Sequence, residues 1–213
     1  KRLMRGFFAA IAMRSLNATP YSLLAIMILI SSIPAAIAGF SGEKFVEEYL
    51  RTKPVVICSL LLLFGLLMWL ADRIGRKQRD LSTLGWADTI IIGIAQAVAL
   101  APGTSRSGVT LTTGLFLGLK RETAARYSFL ISLPVIGGTA LYKGGKLIHT
   151  AMHTGMPAEL GALPLLAGTL AAAVSGLFAI YWLLRYLQSH SLLPFVIYRV
   201  VVAVGVGLLF LRR

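Results

Sequence analysis

The sequence predicts an all-α, polytopic membrane protein: an inverted-topology repeat with one broken, re-entrant helix pair. Three observations predict it. The apolar residues are clumped into uncharged runs, a Pro-Gly break interrupts a further apolar stretch, and two halves of the chain resemble each other at a spacing of one hundred residues. Of 213 residues, 57% are hydrophobic and only 14% are Asp, Glu, Lys or Arg, against about 25% in an ordinary soluble domain. Uncharged runs cover Tyr21 to Gly42, Val55 to Ala71, Tyr127 to Tyr142 and Ala162 to Leu184, and a last run, Gln188 to Leu211, is broken only by His190 and Arg199. A helix needs roughly 20 mostly apolar residues to cross a bilayer. The runs therefore predict spans at about 21–40, 55–72, 125–142, 163–186 and 192–211.

The net charge of +13 sits between the runs. That is the flanking pattern of membrane spans and not the basic stripe of a nucleic-acid-binding domain, so no nucleic-acid partner is expected. The lone Cys58 lies inside an apolar run, cannot form an internal disulfide, and is read as packing. Residues 1–20 show no small-residue cleavage site after an apolar core, so they are not read as a signal peptide; they read as a loop and short helix following something further upstream.

Between the second and third spans lies the segment 86–119, too long for one comfortable span and broken by Pro102-Gly103. Proline removes a backbone donor and clashes with the preceding turn, so a helix should stop near Leu100. Two half-helices, roughly 87–100 and 107–118, joined by an irregular loop, are predicted. Irregular backbone at membrane depth survives only where protein or water satisfies it, so the loop should line a cavity.

"ILISSIPAAIAGF" at 28–40 resembles "SFLISLPVIGGTA" at 128–140, and "FGLLMWLADR" at 64–73 resembles "FAIYWLLR" at 178–185, with Trp69 and Trp182 as anchors. Residues 1–213 are taken as a single membrane domain, about 1–80 being the remainder of a first repeat and about 81–213 a second repeat that contains 86–119. The counterpart of the broken segment in the first repeat would have to lie upstream of Lys1. Loop charges orient the chain. Lys1, Arg2, Arg5 and Arg14, and then Arg73, Arg76, Lys77 and Arg79, mark cytoplasmic loops, whereas 41–54 balances three bases against Glu43, Glu47 and Glu48 and falls outside. A re-entrant 86–119 keeps Lys120, Arg121 and Arg126 inside and puts the loop 143–161 outside.

From Thr89 to Leu119 the only charge is Arg106. A charge at the bilayer centre costs at least about 2.5–3.5 kcal/mol and faces a partner or a watery cavity. A break followed by a new helix start is an anion cradle, with free N–H groups and the positive end of the helix dipole. Ser105, Ser107 and Thr110 would add hydroxyls, Thr104 lies in the same loop, and Gly103 and Gly108 would let the backbone come close. Arg106 offers a fork matched to phosphate oxygens. The competing role for Arg106 is a staple onto a carbonyl or carboxylate, but all eight acids lie in or near the connecting loops. Gln96 either points into the cavity or joins two helices. Arg199 either snorkels to the interface or supports a phosphate. Asp88 reads as an N-terminal charge beside Trp86. His149 and His153, at i, i+4 in a polar loop, lack an obvious third ligand. Tyr21, Tyr142, Tyr181, Trp182 and Tyr186 read as interface anchors, and Ser32 and Ser132 as residues that heal a proline kink.

The set "GIAQAVALAPGTSRSGVT", "SFLISLPVIGG", "IPAAIAGF" and "LLPFVIYR", in that order over nearly the whole chain, resembles the undecaprenyl-pyrophosphate phosphatases, the bacterial bacitracin-resistance membrane enzymes. The resemblance implies hydrolysis of a polyprenyl diphosphate to the monophosphate, recycling the lipid carrier of cell-wall sugars. It also implies an inverted-repeat fold with two re-entrant segments, a site open to the outer side, residence in the bacterial inner membrane and support by a divalent cation, magnesium or calcium; a homodimer is a further candidate assembly. The family's first signature, a Glu-rich stretch ending in Ser-Ser-x-Gly-His, is absent here, so its carboxylates and metal ligands cannot be carried over and are expected upstream of Lys1. Ser105, Arg106, Ser107 and Thr110 can be carried over, with Gly103 and Gly108 shaping the loop; Gln96 loosely mirrors a family glutamate. The 213 residues by themselves are expected to be inactive. A competing expectation from another class is a polyprenyl-phosphate transporter or flippase, because broken helices at mid-membrane also build carriers.

Overall fold

A computed structural model describes residues 20–50, 52–154 and 162–211. Its helices are α1 (Pro20–Phe45, continued by a π-turn at Val46–Leu50), α2 (Pro54–Ile74), α3 (Trp86–Val98), α4 (Arg106–Phe116), α5 (Arg121–Thr154), α6 (Ala162–Tyr186) and α7 (Leu193–Leu211). Five of them, α1, α2, α5, α6 and α7, are long and apolar enough to cross a membrane. They coincide with the five runs of the sequence. The expectations from residues 1–14, and from Met156-Pro157, lie outside the described residues.

One difference from the sequence expectation concerns helix length. The expected polar loop 143–161 is helical through Thr154, so His149 and His153 are neighbours on a helix and not in a loop. Gly144 and Gly145 lower helix propensity there, but no proline follows until Pro157 to enforce an end. Prolines 34 and 134 also sit inside α1 and α5 without ending them.

Ser32 and Ser132 do not heal those prolines. A proline at 34 frees the carbonyl of residue 30, yet the Ser32 hydroxyl donates to Ile28 O (2.8 Å) and to Ile131 O of α5 (3.1 Å). Ser132 donates to Ser128 O (2.9 Å). Ser32 is a bolt between α1 and α5. Beside it, Ser31 shares a 2.7 Å hydrogen bond with the fully buried Tyr127 of α5, and its hydroxyl also reaches Met27 O and Thr89 O. Lipid tails are as apolar as leucine, so helices in a bilayer associate through close packing and such bonds more than through burial of apolar surface.

The half-helix pair begins and ends at one place. Gln78 and Arg79 both donate their N–H to Gly118 O (3.0 Å each), and Lys120 N–H returns to Arg79 O (3.0 Å). Arg79 grips Asp88 through both carboxylate oxygens (3.0 and 2.6 Å) and donates to Leu117 O (2.9 Å) and Thr83 O (2.7 Å). The bond from Asp88 raises the pKa of this guanidinium above its ordinary value. Asp88 accepts the Gly85 N–H as well (2.8 Å), so it caps α3 as the sequence suggested while also clamping the loop. Asp72 makes a second clamp. It accepts Arg121 Nε (2.5 Å) and the Leu192 N–H (3.0 Å), tying the end of α2 to the starts of α5 and α7. Those ends and the two feet of the hairpin therefore share one face of the molecule.

The core is small. It gathers Met27, Ile28, Met68, Ile92, Leu111, Leu115, Leu119, Tyr127 and Ile131 where α1, α2, α3, α4 and α5 meet. In α6 no residue from Leu163 to Tyr186 is buried. Glycine sets the closest approach: a Cβ on Gly93 of α3 would lie 2.9 Å from Ser31 O of α1. Gly93→Val should force these helices apart and destabilise the protein by about 2 kcal/mol, read as a lower thermal unfolding midpoint in detergent; an unchanged midpoint would show that the contact is not tight.

Candidate functional site: a strained chain break carrying two arginines

The break runs from Ala99 to Ser105. Successive carbonyls at the end of α3 are closed by tight turns, with Leu100 N–H to Ala97 O (3.2 Å) and Ala101 N–H to Val98 O (3.3 Å). Thr104 then locks the loop: its fully buried hydroxyl donates to Ala101 O (2.6 Å) and Ala99 O (3.1 Å). Placed among phosphate-binding groups from the sequence, it is occupied inside the loop.

Two residues of the break have positive φ. Gly103 (φ +92°) presses so closely on α2 that a Cβ would meet Ile57 O at 2.5 Å. Ser105 takes φ 64°, ψ 109°, which is costly for a residue with a side chain. Such conformations cost about 1–3 kcal/mol and persist only where the surroundings impose them. Ser105 is the N-cap of α4 and accepts the Gly108 N–H at 3.3 Å. The N–H groups of Arg106 and Ser107 begin the helix with no intrahelical acceptor.

The sequence-derived site residues divide into two sets. Ser105 is exposed, and Arg106 and Ser107 are half-buried. Among the described residues, Arg106 has no salt bridge or side-chain hydrogen bond; the ion pairs found there use Asp72, Asp80 and Asp88 only. The other set faces inward. Thr110, 2% exposed, shares a 2.6 Å bond with Ser128 of α5 and donates to Arg106 O (2.9 Å). It fastens α4 to α5 behind the cradle. Gln96 is fully buried and donates from Nε2 to Ser31 O (3.3 Å), which makes it a link between α3 and α1; its Oε1 has no partner. Gly108 has ordinary helical geometry, and its missing Cβ makes room for Arg199, whose Nη1 would lie 2.8 Å from it.

Arg199 does not follow the snorkelling expectation, and its side chain is bound to the main chain of the break. It is 6% exposed, so it does not snorkel. Its Nη2 donates to Gly103 O (2.8 Å) and Thr104 O (2.7 Å). The stapling role considered for Arg106 is thus filled by Arg199, 93 positions along the chain. The "YR" of α7 held no sign of this, because its partners are main-chain carbonyls. Of the metal expected from the resemblance the site offers no holder: among the described residues no three His, Cys, Asp or Glu side chains converge.

Two substitutions separate strain from packing at the break. Gly103→Ala should destabilise the protein by about 2 kcal/mol. Ser105→Gly relieves an unfavourable φ and keeps a tolerated N-cap, so its unfolding midpoint should match or exceed that of the parent. A larger loss from Ser105→Gly than from Gly103→Ala, in thermal unfolding in detergent, would contradict this account.

Curated relatives are numerous. The chain is 44% identical over 203 residues to the undecaprenyl-diphosphatase of Trichlorobacter lovleyi, covering 95% of this chain and 71% of that protein. It is 43% identical over 192 residues to that of Pelobacter propionicus (90% and 68%) and 48% identical over 179 residues to that of Geobacter sulfurreducens (84% and 64%). The chain thus spans about two thirds of the length of these relatives. Residues 1–205 match the family of bacitracin resistance protein BacA, and the chain belongs to that family.

Proposed function

We propose that this chain carries the phosphate-holding half of a membrane phosphatase that hydrolyses undecaprenyl diphosphate to the monophosphate and phosphate. The observation that carries this is a half-buried guanidinium, Arg106, without a protein counter-ion among the described residues, standing on a helix start at a break between apolar helices. The family and the printed names of its relatives, undecaprenyl-diphosphatase, supply the substrate class. They give no support to the transporter alternative.

The chemistry follows from the geometry. A polyprenyl diphosphate has a long apolar tail and a compact multiple anion. The exposed flanks of the membrane helices suit the tail, and the cradle suits the head. Arg106 presents a planar fork to two phosphoryl oxygens, and the α4 N-terminus adds N–H donors aimed the same way. In phosphoryl transfer most of the catalytic gain comes from positioning and from stabilising charge on the moving group. Water, or the exposed Ser105 hydroxyl, attacks the terminal phosphorus; the anhydride P–O bond breaks, and the prenyl monophosphate leaves. If Ser105 is the nucleophile, water then cleaves the phosphoserine, so one water is consumed in either route. The described residues do not fit a divalent cation, and no step above runs through one. The hairpin's shared feet on the face that bears Arg73, Arg76, Lys77 and Arg79 support a re-entrant pair entering from the cytoplasmic side of an inner membrane. A homodimer belongs to the same proposal, and the mass of the detergent-solubilised protein reads it.

Arg106→Lys in the full-length protein should cut phosphate release from undecaprenyl diphosphate by about a hundredfold or more, because a point charge replaces a bidentate fork, while the unfolding midpoint stays put. Near-normal turnover would refute the assignment. Release of inorganic phosphate in detergent micelles, where no transport can occur, is expected of the enzyme; lipid binding without phosphate release would point to a carrier instead.

A further inference from the structure

We infer that Arg199 is a positioning residue of the phosphatase site: from beneath the chain break it holds the Gly103 and Thr104 carbonyls inward and thereby aims the Ser105–Arg106 segment at the substrate. This rests on the phosphatase proposal above.

The first observation is the orientation of the peptide planes. No peptide bond among the described residues is cis. In a trans peptide the C=O and the following N–H point in opposite directions. Pinning Thr104 O on Arg199 therefore turns the Ser105 N–H away from Arg199, toward the side on which Ser105 is exposed. The neighbouring plane is fixed as well, because Gly103 O is held on Arg199 while the Thr104 N–H goes to Ala101 O (3.3 Å). One guanidinium nitrogen thus sets two consecutive peptide planes directly before Ser105.

The second observation is strain. Ser105 takes a positive φ that is costly for a residue with a side chain, directly after the two carbonyls Arg199 grips. A strained loop relaxes unless it is held, and relaxation here would move Arg106, the next residue. The third is the built recess around Arg199. Gly65 of α2 brings its missing Cβ position within 3.5 Å of Arg199 Cβ, and Gly108 leaves room for Nη1. Its Nε is buried with no partner. No acid among the described residues pairs with Arg199 or with Arg106, so both favour an anion at the break. Arg199 does not itself touch the substrate: it is buried where Ser105 is exposed and Arg106 half-buried.

A group that acts only on the geometry of the reacting segment, and on charge that builds during phosphoryl transfer, should affect kcat and leave KM nearly unchanged. The experiment is steady-state phosphate release from undecaprenyl diphosphate by the full-length protein in detergent, with thermal unfolding in parallel. Arg199→Lys keeps the charge but loses the two-carbonyl grip, and Arg199→Gln keeps a donor but loses the charge. Lys should lower kcat by about tenfold and Gln by about a hundredfold, each with KM within about twofold of the parent. Gly65→Val, whose nearest neighbours are all atoms of the Arg199 side chain, crowds that side chain from α2 while Arg199 stays in place; it should show the same pattern and decides the matter if the Arg199 variants do not fold. A KM that rises while kcat holds would make Arg199 a substrate-binding group, and unchanged kcat in folded variants would make it a staple only; either overturns the inference. An inactive parent protein would instead strike at the phosphatase proposal.

Discussion

The structure turns on a guanidinium gripping two main-chain carbonyls inside a membrane protein. A break in a helix at membrane depth leaves polar backbone groups that lipid cannot satisfy. Here the break is satisfied from within: Thr104 takes two carbonyls and Arg199 takes two more. Once those are held, the chain can afford positive φ at Gly103 and Ser105 and start a new helix at Arg106. The close approaches of Gly65, Gly103 and Gly108 follow from this arrangement, since each lets a neighbour come near the grip.

The site is electrostatically incomplete as it stands. Two arginines lie at the break, and among the described residues neither meets a carboxylate. The acids that do form ion pairs, Asp72, Asp80 and Asp88, are at the feet of the helices, where they fasten loops. Such a division is economical in physical terms. Asp72 and Asp88 are buried but paired with Arg121 and Arg79, while the cations at the break have no carboxylate among the described residues and carry a desolvation cost that an incoming anion would help offset. A diphosphate head group is such an anion.

The helices α1 and α5, whose sequences match at 28–40 and 128–140, are joined by polar bonds. Ser31, Ser32 and Tyr127 bond α1 to α5, and Gln96 bonds α3 to α1. Polar side chains at these positions are structural connectors between helices that have little hydrophobic reason to associate. That is why several hydroxyl and amide groups attractive as ligands in the sequence, those of Thr104, Thr110 and Gln96, are committed to the protein, leaving Ser105, Arg106 and Ser107 at the surface of the cradle.

Hydropathy, proline chemistry and charge placement are local properties, and the amino-acid order alone determined what depends on them: the five long apolar helices, the two half-helices to within two residues of 87–100 and 107–118, the N-terminal charge at Asp88, and the isolation of Arg106. Ser105 and Arg106 could be picked out because a charge and a break in an apolar run are visible in one dimension. Tertiary structure decided the rest. Which buried arginine is stapled and which is free, whether Gln96 faces the cavity, and which way the Thr110 hydroxyl points all depend on partners roughly 20 to 100 positions away. Carbonyl acceptors leave no mark in a sequence, since every residue has one. The helical continuation through 143–154 was likewise hidden, because composition marks a segment as polar without stating whether its backbone bonds to itself or to water.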